Sequence, residues 1–116
     1  MAFVHPDPLQ RVSRRSWTLL TTSGKQIVIP ASGTSRIIVK SLALMNYGAG
    51  DAVIDVIDRI GASEVNIITD AVFPAKALHR DADDDGIIET RAGAELVVNL
   101  KSILVVNIRL NFWYAP

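Results

Sequence analysis

The chain contains no cysteine. That removes disulfides, thiol nucleophiles and thiolate metal sites together, so stability must come from packing and association. Histidine is almost as scarce, with His5 and His79 the only two. A hydrolase triad needs a nucleophile, a base and an orienting group. His5 lies in a proline-containing segment and His79 beside Arg80 in a weak strand pattern, and neither position suits a general base. No glycine-rich phosphate loop follows a strand and no His-x-x-x-His pair occurs, so an enzyme is not expected. No apolar run reaches the roughly 18 residues of a membrane span. Twelve basic residues balance twelve acidic ones, leaving no overall field to draw in nucleic acid or a membrane surface. The opening MAFVHPDPLQRVSRR lacks the apolar core of a signal peptide, so synthesis in the cytoplasm of a host cell is expected.

What the chain does have is aliphatic residues at strand spacing. It is 116 residues long and 49% hydrophobic, with a mean hydropathy of +0.28. One domain of this length buries roughly two-thirds of the surface its unfolded form exposes, enough for an independent core. The hydrophobic share is high for so small a domain. Apolar residues on strand faces that should be solvated imply a subunit interface.

Period-two alternation is clearest at the end of the chain. A turn from Gly86 leads to a strand over 95–100, a link at Lys101-Ser102 and a long final strand to Tyr114. There Leu104, Val106, Ile108, Leu110, Phe112 and Tyr114 share one face, opposite Asn107, Arg109 and Asn111. Earlier, 16–22 reads as a strand with Trp17, Leu19 and Thr21 on one face, and 25–29 as one with Ile27 and Ile29 inward. In 36–47 the alternation shifts at Lys40-Ser41, which predicts a bulge or bend. Further strands are expected over 52–58, 64–69 and 75–80. Segments 43–56 and 70–79 have some helical character, opposed by Gly48, Gly50 and Pro74. About eight strands with turns every 8 to 12 residues predict an all-β, antiparallel β-sandwich, jelly-roll-like. Pro6 and Pro8 make residues 1–15 an extended amino-terminal arm, leaving 16–116 as the sandwich domain.

Charge is unevenly placed along the chain. Residues 1–40 hold Arg11, Arg14, Arg15, Lys25, Arg36 and Lys40 against Asp7 alone, and five acids fall between Asp81 and Glu89. Arg11, Arg14 and Arg15 are candidate contacts of the arm with an acidic surface on a partner or another copy. Interleaved aromatics are missing there, which argues against nucleic acid. Asp81, Asp83 and Asp85 followed by Gly86 match the opening of an oxygen-donor calcium loop, with Glu89 contributing through water. Ala92 stands where a bidentate glutamate would close the shell, so the set is one strong ligand short. The same residues make an ordinary turn between strands. Calcium is the candidate ion, and no other cofactor is expected. Trp17, Trp113 and Tyr114 are candidate stacking residues for a sugar, or else core and interface residues.

Two phrases carry a resemblance. Ser35-Arg36-Ile37-Ile38-Val39-Lys40-Ser41-Leu42, followed by a Gly-rich turn and Ala52-Val53-Ile54-Asp55-Val56, is the first. Gly86 to Leu100, with its "ET.AG..L.VNL" pattern leading to a last strand, is the second. Over 35–114 the chain resembles small β-sandwich proteins of tailed-phage virions, the capsid decoration or cement proteins and related minor structural proteins. The resemblance implies a virion location and a homotrimer on the outer head surface that clamps neighbouring subunits of the major capsid protein. It implies no catalytic residue. Another reading is a tail-fibre or spike module that binds carbohydrate or a receptor.

Overall fold

The computed structural model describes residues 12–101 and 105–116. Nine strands form in order: β1 (Arg14–Leu20), β2 (Gly24–Ile29), β3 (Arg36–Asn46), β4 (Ala52–Ile60), β5 (Ser63–Phe73), β6 (Leu78–Ala82), β7 (Ile88–Glu89), β8 (Glu95–Leu100) and β9 (Val106–Ala115). There is no helix among the described residues. Most of the strands are rich in Val, Ile and Leu, whose branched side chains suit a pleated, half-buried surface.

The strands make two antiparallel sheets. One has the order β1-β9-β3-β6, with β7 also against β3, and the other β2-β8-β4-β5. Among the described residues only the β4–β5 hairpin joins neighbours within a sheet through a tight turn. Most other links cross from one sheet to the other. Two four-stranded sheets interleaved in this way are the eight-stranded jelly roll of two Greek keys. The ninth strand is not an addition to that plan. β6 pairs Ser41 to Met45 of β3, and β7 pairs Ile38 and Val39, so together they form one interrupted edge strand. The interruption, Asp83 to Ile87, is held at both ends: Asp83 N–H donates to the Lys40 carbonyl at 3.0 Å, and Ile87 N–H to that of Val39 at 2.7 Å. Gly86 permits the loop with φ +107.

The core lies between the sheets. Ile37, Val39 and Leu44 of β3 and Val106, Ile108 and Leu110 of β9 meet Ile54, Leu96 and Leu100 from the other sheet. Asn46 is fully buried as well, and it is satisfied. Its amide donates to the carbonyls of Gly50 (2.9 Å) and Phe73 (3.0 Å) and its oxygen accepts from Gly48 N–H (2.8 Å). One side chain thereby ties the Gly48–Gly50 turn to the end of β5.

Several expectations meet the structure directly. The register of β3 against β9 shifts between Val39 and Ser41, the bulge foreseen at Lys40-Ser41. Segment 70–79 is not helical, because β5 runs on to Phe73 and β6 begins at Leu78. Ile27 is not inward: the β2–β8 register slips between Ile27 and Ile29, so Val28 and Ile29 are buried while Ile27 is 46% exposed. The arm does not extend to residue 15. Arg14 and Arg15 pair with Phe112 and Asn111 and belong to β1. Residues 1–11, with Arg11 among them, lie outside the described residues, as do 102–104 with Leu104. The final strand is described from Val106.

Candidate functional site

Backbone pairing sets out the outer face of the β1-β9-β3-β6 sheet in rows. Leu20 of β1, Leu44 of β3 and Ile108 of β9 point into the core, so the alternate residues point out. Trp17 and Leu19 share a face, as the sequence indicates, but it is the outer one, where they are 68% and 54% exposed. The registers align Leu19, Asn107, Met45 and Leu78 across the four strands. The next row is Trp17, Arg109, Ala43 and Arg80, and the third is Arg15, Asn111, Ser41 and Ala82.

The second and third rows line a shallow groove of about 700 Å³. Arg15 and Trp17 form one wall and Arg80 the other, while Ser41, Ala43 and Ala82 keep the floor low. The Arg109 guanidinium lies 4.2 Å from the centre of the Trp17 ring, close enough for a cation–π contact. Asn111 donates its amide hydrogen to Ser41 Oγ at 2.8 Å, which fixes the floor. Among the described residues, neither Arg15, Arg80 nor Arg109 forms an ion pair. Three guanidiniums beside an exposed tryptophan suit an anionic or aromatic partner. Ser41 and Asp81 also line the groove.

The other singled-out aromatics play different parts. Trp113 is buried on the same outer face, and Tyr114 donates its hydroxyl to the Pro30 carbonyl at 2.7 Å. Arg14 lies 5.5 Å from the Tyr114 ring centre. His79 packs edge-on to Phe73 with ring centres 5.3 Å apart, a packing role at a sheet edge.

The structure does not gather the proposed calcium ligands. Asp81 sits in β6, whereas Asp83 turns its carboxylate back to accept the Asp85 N–H at 2.9 Å. Glu89 is taken by the Arg36 guanidinium. Among the described residues no three acidic or histidine side chains converge on one point. The acidic segment is a turn in an edge strand, the ordinary alternative for Asp-Asp-Gly.

Two charged clusters that sequence reasoning missed are built at sheet positions. On the outer face of β4, the Asp55 carboxylate accepts the Asp70 N–H at 2.8 Å and lies 3.1 Å from Lys101 Nζ. The Asp70 N–H, helped by Lys101, holds the Asp55 carboxyl below its usual range. Hydrogen bonds to Asp70 and then Asp55 raise the Lys101 ammonium in turn. Glu64 is lowered chiefly by its hydrogen bond from Lys25. At one end of the sandwich, buried Asp58 accepts three hydrogen bonds from Arg91: the backbone N–H at 2.7 Å, Nε at 3.1 Å and Nη2 at 3.0 Å. No sequence motif marks these pairs, because their members are 31 to 46 positions apart or meet across strands whose order was unknown.

The fold and this face define the class: a jelly-roll domain with a cationic, aromatic-walled groove on one sheet. No protein-family model matches the chain. No curated protein matches it either. Among solved structures it is similar to Drosophila melanogaster CENP-C bound to CAL1, at 13% identity over 84% of this chain and 60% of that one, with a TM-score of 0.36. The Drosophila melanogaster CENP-C cupin domain gives 13% identity, 84% and 59% coverage and a TM-score of 0.35. The Yersinia pseudotuberculosis-derived mitogen gives 10%, 89% and 86%, with a TM-score of 0.32. The chain spans about 60% of the length of the first of these. Likeness at this level says nothing about activity, and the fold assignment rests on the strand order itself.

Proposed function

We propose that this chain is a non-enzymatic virion structural protein, a capsid decoration protein that sits on the outer head surface as an oligomer and clamps neighbouring subunits. The observation that carries the reading is the outer face of the β1-β9-β3-β6 sheet. It exposes Trp17, Leu19 and Leu78 beside three arginines that form no ion pair among the described residues. Large exposed apolar side chains gathered on one rigid face are the mark of a contact surface. A sandwich with a dense core presents such a face without reorganising on binding, which keeps the entropy loss of docking small. Repeated over many copies, modest contacts sum to a stable shell. The amino-terminal arm, with Arg11, reaches onto a neighbouring subunit of the capsid.

Electron microscopy of the particle whose genome carries the chain tests this. The full chain should appear on the outer head lattice. A chain lacking residues 1–13, which leaves β1 intact, should fold normally but fail to attach. Undiminished attachment of the shortened chain would refute the role of the arm, and a head surface without the protein would refute the reading itself.

A second reading, a carbohydrate-binding module of a virion, draws support from Trp17. Its exposed ring stands over a floor of small residues with hydrogen-bonding groups nearby. Glycan binding that disappears in Trp17→Ala, with no protein on the head, would favour it.

A further inference from the structure

We propose that the outer face of the β1-β9-β3-β6 sheet is self-complementary, and that two copies of this chain pack face to face across it about a two-fold axis parallel to the strands. Pairing of this kind is a property of the purified chain in solution and occupies the face on which the virion reading rests, while attachment to the head is read separately by microscopy.

A two-fold axis along the strands, midway between β9 and β3, keeps each row in place and reverses its strand order. Strand β1 then lies over β6 of the second copy, and β9 over its β3. In the first row Leu19 meets Leu78 of the second copy, two leucines that are 54% and 52% exposed. In the second row Trp17 meets Arg80 of the second copy, while its own Arg109 already lies 4.2 Å from the ring centre. The tryptophan is thus placed between two guanidiniums, an arrangement its electron-rich faces favour. Arg109 itself faces Ala43, a long side chain over a short one. In the third row Arg15 meets Ala82, next to the acidic turn Asp83 to Asp85 of the second copy.

At the outer strands leucine meets leucine, tryptophan meets guanidinium and Arg15 covers Ala82, while Asn107 lies over Met45 and Asn111 over Ser41 at the inner ones, and no arginine faces an arginine. Shifting the axis onto β9 would instead set Arg109 against Arg109. The acidic turn also gains a purpose. Among the described residues its carboxylates do not converge on one point, and in the pair they lie against Arg15 of the other copy. An isologous contact of this kind satisfies both copies at once. The pair departs from the trimer that the family resemblance implies. The face is only four strands wide, about 19 Å at the usual strand spacing. That places it at the low end of stable interfaces, so pairing is concentration-dependent.

The absence of native cysteine makes a direct test clean. Chains carrying Leu19→Cys alone and Leu78→Cys alone are mixed at high protein concentration and treated with a short bis-maleimide, since facing sheets stand about 10 Å apart, out of direct disulfide reach. Each chain then has one thiol, so every bridge joins copies. Leu19→Cys with Val72→Cys, 57% exposed on the other sheet, is the control. The Leu19–Leu78 bridge should form about tenfold faster than the control, reflecting the raised effective concentration of the two thiols. A charge exchange gives an independent reading by light scattering. Arg15→Glu alone and Asp83→Lys/Asp84→Lys/Asp85→Lys alone should each stay monomeric, and their equimolar mixture should pair. Equal bridging rates, a trimer mass for the unmodified chain, or a mixture no better than its components would overturn the proposal.

Discussion

Asp58 and Arg91 allow a prediction in which the direction of an asymmetry, rather than its size, is decisive. Asp58 is 3% exposed and accepts three hydrogen bonds from Arg91, whose side chain is 41% exposed and also reaches Ser63 in the β4–β5 turn. Hydrogen bonds to a charged group contribute roughly 1.5–3 kcal/mol each. In Asp58→Ala the guanidinium is released into water and rehydrates, and no buried charge remains. Its two bonds therefore count little, as for other half-exposed pairs. The net loss is about 2 kcal/mol. In Arg91→Ala the carboxylate stays in the protein with the backbone N–H as its remaining donor. Orphaning a buried charge costs about 3–5 kcal/mol. Arg91→Ala should thus be the worse substitution, although it removes the more exposed residue. At about 4 °C per kcal/mol for a chain of this size, the melting points should fall by about 8 °C and about 16 °C. The double variant should be no worse than Asp58→Ala, because removing the acid also removes the orphan. Urea unfolding with an unchanged slope would confirm that stability alone has changed. If Asp58→Ala proves the more damaging, or the two losses simply add, the account of this pair is wrong.

Two other expectations follow from single positions. In Gly86→Ala the new methyl would sit 2.6 Å from Ile38 Cγ2 at a backbone φ of +107. Backbone strain and the clash with a stiff β-branched neighbour together should destabilise by about 3 kcal/mol. Gly61→Ala, at φ +56 with open space around it, should lose only about 1–2 kcal/mol, and equal losses would show that the loop opposite β3 is not tightly packed. The Asp55–Lys101–Asp70 cluster predicts the pH profile. Asp55 is lowered, so its stabilisation is complete above the unfolded value near 3.9 and is lost as pH falls through the folded value. Lys101 is raised, so its part is complete below about 10.4 and is lost as pH rises through its folded value. Lys101→Met should flatten the alkaline limb of melting point against pH and weaken the acid one. An unchanged profile would remove the cluster from the account.

The alternation of β3 shows how far local pattern reaches. Its break at Lys40-Ser41 is visible because an extra residue reverses which side chains share a face, and the structure has the bulge there. Trp17 and Leu19 show where it stops. Period two says that they lie on the same side of β1, and composition suggests that such residues go inward. Ser16 and Thr18 occupy the inner side instead, with the Ser16 hydroxyl donating to the Val28 carbonyl. Ile27 differs for a related reason: the slip against β8 is a property of the pairing, and β2 alone carries no mark of it. The acidic run resembles an ion loop on paper because spacing along a chain cannot report that Arg36 stands across from Glu89.

Strand content, the β-sandwich class and the absence of thiol chemistry were settled by residue types and their spacing, which act over a few positions. The jelly-roll order, the groove between Arg15 and Arg80, and the Asp58–Arg91 pair were decided only when distant strands met. Arg15 and Arg80 are far apart in sequence and come to opposite walls of one groove because β9 and β3 lie between them. Pairing of that kind is selected by the joint burial of both sheets, and no single segment contains it.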